Sequence, residues 1–326
     1  MSLLVEKSAN VASAAEMFAE QRAEILAALR APQKHISPKY FYDQRGSELF
    51  DTICTLPEYY PTRTELGIME CCLPEIAELV GPAAAVIEFG AGSAAKARRL
   101  LAELREPVAY VPVEISGEYL SEQAKELARE FPAVSVVPVV ADFTKPFDLP
   151  EHPETPLRNL VFFPGSTIGN FTRTEARGLL EVMRHEARPG GALVMGVDLV
   201  KDVSLVEAAY NDAQGVTAEF NLNVLRHLNT ALDADFELEQ FRHEAIYDTR
   251  HERIEMRLVS LVEQTVRVGG EPIGFAAGER VVTEYSHKYS IEGFKALARR
   301  AGLEPEAVWT DPAALFSVHY LTAPSA

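Results

Sequence analysis

The chain has 326 residues, of which 47% are hydrophobic and 24% charged, and its formal net charge is −17. This length is enough for one large or two modest domains with a sizeable core. The excess negative charge repels nucleic-acid backbones and anionic membrane surfaces, so we expect neither nucleic acid nor a membrane as a partner.

The first part of the chain predicts two helices separated by an irregular stretch. The first helix covers residues 11–30, and the N-terminal residues lack the basic start and apolar core of a signal peptide. Residues 37–65 are too rich in aromatics, prolines and charges for a simple helix, and residues 65–80 predict the second helix. The three cysteines show no disulfide or zinc spacing. We therefore expect a cytoplasmic protein with no bound metal and no obligate protein partner.

From residue 84 onward, short apolar runs alternate with amphipathic helices. The runs that predict strands are "AVIEF", "VAYVPVEI", "VSVVPVVAD", "NLVFFPG" and "GALVMGVDLV". The helices between them are "AAKARRLLAELR", "GEYLSEQAKELAREF" and "TEARGLLEVMRHEA". Continuously apolar strands that alternate with helices indicate a parallel sheet covered on both faces. Such sheets bind ligands beyond the carboxyl ends of their strands.

After residue 199 the pattern changes to helices followed by antiparallel strands. In "RIEMRLVSL", apolar and charged residues alternate, as in a strand with one buried face. A last helix and two strands return to the first domain. The sequence thus predicts an α/β fold, with a Rossmann-like domain formed by residues 64–198 and 290–326. Residues 1–63 and 199–289 are expected to form a smaller α+β substrate-binding domain.

A glycine-rich turn follows the first strand of this series, in "EFGAGSAAKARRLL". Gly90 and Gly92, with Ala95, satisfy the relaxed G-x-G-x-x-[GA] pattern, in which missing side chains let a ligand approach the backbone. The pattern by itself leaves open a dinucleotide, another nucleoside cofactor or no ligand. Glu88 precedes the turn, and its charge suits a cationic amino-acid group better than a pyrophosphate.

Residues near the ends of the next two strands favour a nucleoside ligand. Glu114 follows Gly90 by 24 residues, near the distance at which a ribose-binding acid belongs. Asp142 and Phe143 suit the exocyclic amine and the face of adenine, and Lys96 is placed to hold a carboxylate. The set favours S-adenosylmethionine (SAM) over NAD as the cofactor, and the chain has no Tyr-x-x-x-Lys pair for hydride transfer.

Several stretches, spread over nearly the whole chain, resemble the histidine Nα-methyltransferases of ergothioneine biosynthesis. They are "PKYFYDQRGSELFDTI", "LPEYYPTRTE", "EFGAGSAAK", "FFPGSTIGN", "GVDLVKD", "AYNDAQGVTAEFN", "ERIEM" and "TEYSHK". The resemblance implies a class I SAM-dependent methyltransferase domain. It also implies transfer of three methyl groups from SAM to the α-amine of L-histidine, which gives hercynine.

The same resemblance implies which residues hold the amino-acid part of the substrate. In the loop "PGSTIGN", Asn170 binds the α-amine and the carboxylate, and Gly165 lines the loop. Tyr210 donates to the carboxylate. Tyr42 lies beside the amine and the sulfonium, where its oxygen accepts a hydrogen bond and its ring attracts methylated cations. Tyr42 and Asn170 are therefore the expected catalytic residues.

The imidazole pocket is expected to combine a carboxylate with a hydroxyl. Glu284 and Ser286 are two residues apart, hence on one face of a strand, and together they suit the two ring nitrogens. Tyr59 reaches the ring from the other side, and Met256 contributes to the core or to the pocket wall.

Three alternatives to a histidine methyltransferase remain open. For a tryptophan or tyrosine methyltransferase, an aromatic hydrocarbon pocket would leave the carboxylate of Glu284 unpaired. A nicotinamide-dependent oxidoreductase is disfavoured by Glu88 and by the missing hydride-transfer pair. The third alternative, a catalytically silent binding module, is disfavoured by the presence of the expected site residues Tyr42, Asn170, Glu284 and Ser286.

Overall fold

The computed structural model describes residues 14–325 except positions 93, 116, 146, 148 and 151–154. Ser93 of the glycine-rich turn and the first residues of the expected N-terminal helix therefore lie outside the described residues. The elements up to the end of the parallel strands are α1 (Ala14–Arg30), α2 (Gln44–Ile53), α3 (Tyr60–Val80), β1 (Ala84–Phe89), α4 (Ala95–Glu103), β2 (Ala109–Glu114), α5 (Gly117–Glu130), β3 (Ser135–Val136), β4 (Val139–Val140), β5 (Arg158–Phe163), α6 (Arg173–Ala187) and β6 (Ala192–Asp198).

The remaining elements are α7 (Val203–Tyr210), α8 (Val216–Ala231), β7 (Phe241–Asp248), β8 (Arg253–Ser260), β9 (Gln264–Val268), β10 (Glu271–Phe275), β11 (Arg280–His287), α9 (Ile291–Arg300), β12 (Glu304–Thr310) and β13 (Phe316–Thr322). Short 3₁₀ helices occupy Pro38–Phe41, Thr167–Asn170 and Leu238–Gln240.

An eight-stranded sheet organises the parallel part of the chain. Its strand order is β12-β13-β6-β5-β1-β2-β3, with β4 also paired to β2. Strands β1, β2, β5 and β6 pair in parallel, whereas β13 pairs antiparallel with both β6 and β12. The predicted α/β fold is confirmed, and the tail returns to this sheet as expected.

Alternate residues of the central strands pack into two hydrophobic clusters, one on each face of the sheet. Val86 of β1 packs with Ile76 of α3 and Leu100 of α4. Ile87, its neighbour in β1, packs on the other face with Leu180 of α6 and Phe294 of α9. Because both faces are covered, β1 is buried along its whole length, which explains its uninterrupted apolar sequence.

Two details of the sequence interpretation are wrong. The single strand expected over residues 134–142 is divided into β3 and β4, since Pro138 between them has no N–H to offer the ladder. The stretch taken as irregular contains α2, which the sequence analysis missed. Asp43 caps this helix by accepting the N–H of Gly46 at 2.7 Å, and a side-chain cap of this kind favours helix initiation.

A third hydrophobic cluster gathers the rest of the chain. It draws its residues from positions 25–60 and 206–281, and its largest members include Phe41, Phe220 and Phe241. The strands of this part form a three-stranded antiparallel sheet, β11-β8-β7, and the hairpin β9-β10. The predicted division into two discontinuous domains stays a proposal. It is supported by α3, which begins with Tyr60 in this cluster and continues with Ile68 in a cluster of the large sheet.

Candidate active site

Three acidic side chains lie at one edge of the large sheet. Glu88 is near the end of β1, Glu114 ends β2, and Asp142 follows β4. Since β1 pairs in parallel with β2, and β2 with β4, the carboxyl ends of these strands are neighbours. This edge is where a doubly wound sheet binds its ligand.

The two glycines of the glycine-rich turn differ in backbone conformation and in the space around them. Gly90 has φ +70, and a Cβ there would lie 3.3 Å from the ring of Phe143. A Cβ on Gly92 would meet no atom of the described residues within 4 Å. Phe143 in turn packs against Phe89 and Phe163, each at a ring-centroid distance of 5.8 Å. The aromatic ring expected beside adenine thus lies over the turn, next to open space at Gly92.

Glu88 has a partner inside the protein. Its side chain is 2% exposed, and the hydroxyl of Tyr110 donates to its carboxylate. Burial raises the pKa of Glu88 to about 7, although the Tyr110 hydroxyl and the nearby Lys96 lower it. The expected contact between Glu88 and a cationic group of the cofactor stays a prediction.

Lys96 is held by a buried carboxylate that sequence reasoning missed. Its ammonium forms an ion pair with Glu65 of α3, which is 1% exposed. The same carboxylate accepts the N–H of Gly165 at 2.9 and 3.0 Å, so Glu65 joins the expected cofactor lysine to the expected substrate loop. Gly196 provides the space, because a Cβ there would lie 2.0 Å from Glu65 Oε1. A glutamate at a helical core position carries no motif by which the sequence could identify it.

The loop between β5 and α6 brings Asn170 to β11. Gly165 has φ +81 and Ser166, unusually for a residue with a side chain, has φ +58. The 3₁₀ helix that ends in Asn170 packs so closely on β11 that a Cβ on Gly169 would lie 2.8 Å from the carbonyl oxygen of His287. The expected amine-binding side chain is thereby placed next to the strand that carries the expected imidazole-binding residues.

Strand β11 presents the expected imidazole ligands on one face. Glu284 is paired in register with Met256 of β8, and Ser286 with Ile254. The hydroxyl of Tyr210 donates to Ser286 Oγ at 2.8 Å, and the ring of Tyr59 lies 6.2 Å from that of Tyr210. Met256 is 1% exposed and belongs to the core cluster.

Tyr42 lies between the two groups of site residues. Burial raises the pKa of Tyr42 well above its ordinary value. The negative charges of Glu284 and, to a smaller extent, Glu114 raise it further. The raised pKa favours the protonated phenol, whose hydroxyl can donate and accept hydrogen bonds. Its ring packs edge-on against Phe50 and Phe220, at 5.7 and 5.9 Å.

The space between β11, Tyr42 and the loop that carries Asn170 is called the pocket below. Four polar side chains around it have no hydrogen-bond partner within the described part of the chain. They are Tyr42, Tyr59, Asn170 and Glu284. Burial raises the pKa of Glu284 to about 7, and the charge of Lys288 lowers it. All four residues are half-buried, so their unpartnered polar groups remain available to a polar ligand.

A buried ionic cluster lies behind the pocket, and sequence reasoning missed it as well. Asp198, at the end of β6, is 1% exposed and forms ion pairs with Lys201 and Lys288. Tyr60 donates to its carboxylate at 2.7 Å. Burial would raise the pKa of Asp198, but the two lysines lower it. Lys288 is four residues beyond Glu284. The two-residue period of a strand could therefore have predicted that Lys288 lies on the same side as Glu284 and Ser286.

Two kinds of feature are absent from the residues that the structure describes. No group of three or more His, Cys, Asp or Glu side chains in them is arranged to hold a metal ion. None of their helices is both long and apolar enough to cross a membrane.

Comparison with known proteins shows extensive similarity. The family model described as "Histidine-specific methyltransferase, SAM-dependent" matches residues 21–323. The histidine N-alpha-methyltransferase of Mycolicibacterium smegmatis is 40% identical over 311 residues, which cover 94% of this chain and 95% of that protein. The protein of the same name from Mycobacterium tuberculosis is 40% identical over 302 residues, with coverages of 91% and 93%. Ergothioneine biosynthesis protein 1 of Neurospora crassa is 30% identical over 82% of this chain and 31% of its own length.

Proposed function

The chain belongs to the family of SAM-dependent, histidine-specific methyltransferases, and from this premise we propose that it trimethylates the α-amine of L-histidine. The product is hercynine, and the reaction is the first step of ergothioneine biosynthesis. The small-molecule substrate and the cofactor follow from the family. The proposal concerns histidine as the substrate, the cytoplasm as the location, and the residues that carry the reaction.

The observation that carries the residue assignment is the set of unpartnered polar groups. Free histidine brings an amine, a carboxylate and an imidazole, each of which needs a hydrogen-bond partner when buried. The amide of Asn170, the hydroxyls of Tyr42 and Tyr59, and the carboxylate of Glu284 can supply these partners. An indole would leave the carboxylate of Glu284 unpaired, which supports histidine over tryptophan.

The residues at the edge of the large sheet fit SAM. Open space at Gly92 admits a ligand close to the backbone, and Lys96 keeps two of its three donors after pairing with Glu65. Glu114 would receive the ribose hydroxyls, while Asp142 and Phe143 would hold the adenine. SAM supplies an electrophilic methyl group on a sulfonium, which requires no metal or redox partner.

The residues of this chain contribute mainly by positioning. Before each of the three transfers the α-nitrogen of histidine must lose one proton to act as a nucleophile, and this proton passes to water, since Tyr42 is held protonated. Each transfer leaves S-adenosylhomocysteine as the second product. The oxygen of Tyr42 accepts a hydrogen bond from the amine, and Asn170 orients the amine and the carboxylate. Methyl transfer by direct displacement depends on such in-line placement. The aromatic rings around Tyr42 favour the methylated cation as charge develops on the nitrogen.

The proposal is tested by incubating the purified protein with SAM and the twenty amino acids in one pool. Mass spectrometry should find three added methyl groups on histidine alone, and fragmentation should place them on the α-nitrogen. A reaction without SAM and one with the Asn170→Ala variant serve as controls. Methylation of another amino acid would overturn the assignment of Glu284, and no methylation at all would overturn the proposed function.

A further inference from the structure

A buried carboxylate joins the expected cofactor lysine to the loop that carries Asn170. The Glu65 carboxylate, in α3, forms an ion pair with the Lys96 ammonium, and the two side chains are 1% and 16% exposed. The two oxygens of Glu65 also accept the Gly165 N–H, at 2.9 and 3.0 Å. A charge removed from water is costly without a partner, so Glu65 and Lys96 depend on each other for their place in the fold.

Two glycines make room for this arrangement. A Cβ on Gly196 of β6 would lie 2.0 Å from Glu65 Oε1 and 3.1 Å from the Gly165 nitrogen. A Cβ on Gly165, which has φ +81, would lie 3.5 Å from Lys96 Nζ. The carboxylate, the ammonium and the loop backbone are therefore closely packed, and the position of each determines the position of the others.

The charge of Lys96 also acts on a second buried carboxylate, that of Glu88. Glu88 is 2% exposed, and the Lys96 charge lowers its pKa. The ammonium nevertheless donates to Glu65, while Glu88 accepts the hydroxyl of Tyr110. This division matters for the amino-acid end of SAM, which brings one carboxylate and one ammonium, each in need of an opposite charge. A pair between Lys96 and Glu88 would neutralise both of the protein groups expected to meet that end.

We propose that Glu65 is a positioning residue of the cofactor site, which keeps the Lys96 ammonium apart from Glu88 and presents it to the carboxylate of SAM. The N–H of Gly165 holds the Glu65 carboxylate from its other side. Glu65 thus acts on the cofactor through Lys96. This inference rests on the part of the proposed function that places SAM at the edge of the large sheet, and it specifies how the charged end of SAM is recognised there.

The test compares two unreactive ligands that differ at the amino-acid end. S-adenosylhomocysteine keeps the carboxylate and the ammonium of SAM, whereas 5′-methylthioadenosine keeps the adenosine and the sulfur but has neither charge. Calorimetric titration gives the two Kd values, and their ratio measures the preference for the charged end. The unaltered protein should bind S-adenosylhomocysteine more tightly by about tenfold or more, since hydrogen bonds between charged groups are lost in the other ligand. Equal affinities would overturn the proposal, and this measurement requires neither a variant nor turnover.

The Glu65→Gln variant then tests the role of the carboxylate. An amide of the same size keeps an acceptor for the Gly165 N–H but has no negative charge to hold Lys96. Lys96 should turn to Glu88, so the preference for S-adenosylhomocysteine should fall by about tenfold. The Kd of 5′-methylthioadenosine should stay within about twofold of its original value. An unchanged or increased preference would overturn the proposal, and equal weakening of both ligands would show that Glu65 has only a structural role.

The Gly196→Ala variant moves the same carboxylate without removing its charge. The new methyl group would lie 2.0 Å from Glu65 Oε1, so the Glu65 side chain must shift away from Lys96. The preference for S-adenosylhomocysteine should fall here too. Full retention of the preference would show that the place of the carboxylate is unimportant, which contradicts a positioning role. Because this change is made in β6 and not in α3, it tests the proposal even if Glu65→Gln does not fold.

Glu70→Gln is the matched control. Glu70 and Arg99 form an ion pair at 3.0 Å between the same two helices, α3 and α4, but their side chains are 64% and 40% exposed. Removal of this pair should leave the preference for S-adenosylhomocysteine unchanged. If Glu70→Gln lowers the preference as much as Glu65→Gln, the contact between the helices is responsible and the proposal is wrong.

A double-mutant cycle tests whether Glu65 acts through Lys96. In a Lys96→Met background, Glu65→Gln should not lower the preference further, and a further loss would overturn the assignment. The titrations also separate this inference from the proposed function. Ligand preferences as expected without histidine methylation would refute only the proposed function, and histidine methylation with an unchanged preference in Glu65→Gln would refute only the inference. Absence of S-adenosylhomocysteine binding by the unaltered protein would overturn both.

Discussion

At the scale of single residues, Glu284 shows how environment changes the chemistry of a side chain. Its carboxylate lies in an aromatic pocket with no hydrogen-bond partner among the described residues. Burial raises its pKa from 4.5 to about 7. A carboxylate kept in this state destabilises the folded protein when ionised, and a ligand N–H would relieve the cost. The pocket is thus less stable without its substrate, as expected of a binding site.

Glu284→Gln should stabilise the ligand-free protein in a pH-dependent way. Between pH 4.5 and 7 the unfolded chain has lost the proton while the folded chain retains it, so the original protein loses stability as the pH rises. The variant has no carboxyl group at this position, so its stability does not fall in this way as the pH rises. Its Tm should exceed that of the original by about 2–4 °C at pH 8 and should equal it near pH 4.5.

Thermal unfolding at the two pH values measures this difference. Glu263→Gln is the control, because Glu263 is exposed and its removal reports the effect of relieving part of the net charge. A gain of the same size at both pH values, or the same gain in the control, would contradict the role given to burial.

At the scale of elements, the two glycines in the turn between β1 and α4 have different roles: one is required by the backbone conformation, and the other leaves space for a ligand. Gly90 has φ +70, whereas Gly92 borders open space and has no unfavourable φ. A side chain at Gly90 therefore affects the fold of the turn. A side chain at Gly92 affects only what approaches the turn.

Alanine substitutions at the two glycines should differ in kind. Gly90→Ala should cost about 1–2 kcal/mol of stability, because a residue with a Cβ is disfavoured in the left-handed region, and the new methyl presses on Phe143. Gly92→Ala should leave the Tm unchanged within about 1 °C, since none of the described residues lies near its Cβ position, and should weaken SAM binding. Calorimetric unfolding and titration with SAM check both expectations. An unchanged SAM affinity in Gly92→Ala would place the cofactor elsewhere.

Strand β11 shows how a single element serves two purposes. Glu284 and Ser286 lie on its face toward the pocket, and Lys288, just beyond its end, continues the two-residue period into the buried cluster of Asp198. The two proposed imidazole ligands and a residue of a buried ion pair therefore lie within five consecutive residues of backbone.

At the scale of the whole molecule, the two halves of the site belong to different hydrophobic clusters. Glu284 and its neighbours adjoin the cluster of residues 25–60 and 206–281, and Asp142 follows the large sheet. Glu65, Tyr60 and Asp198 connect the two parts. Substitutions that affect one ligand should therefore spare the other when they avoid these connecting residues.

Glu284→Ala should raise the histidine KM by about tenfold or more, since a charged hydrogen-bond partner is lost. The SAM Kd should change less than about twofold. Asp142→Ala should show the reverse pattern. Steady-state kinetics and calorimetric titration of both variants measure the two effects.

Thr144→Ala is the control for Asp142, whose carboxylate also accepts the Thr144 N–H at 3.1 Å and hydroxyl at 2.5 Å. It removes the hydroxyl contact and keeps the carboxylate, so SAM affinity should be retained. If one variant weakens both ligands equally, the separation of the two half-sites is wrong.

Much of this organisation follows from local sequence alone. The apolar runs that form β1, β5 and β6, the glycine turn and the alternation in β8 each depend on neighbouring residues, so periodicity identifies the α/β fold. Spacing along one strand also places Glu284 and Ser286 on one face. The family resemblance adds the expected substrate and cofactor, which the comparisons support.

The partners of these residues were decided only by the tertiary structure. Glu65 and Lys96 are 31 positions apart, and Asp198 and Lys288 are 90 positions apart, so no local pattern joins them. A glutamate in a helix or a lysine after a strand is ordinarily solvated, and only packing removes the water and makes the ion pair obligatory. The sequence by itself determined the kind of fold and the kind of ligand. The tertiary structure decided which buried charges orient the side chains of the site, because charge pairing in the interior depends on distance in space and not along the chain.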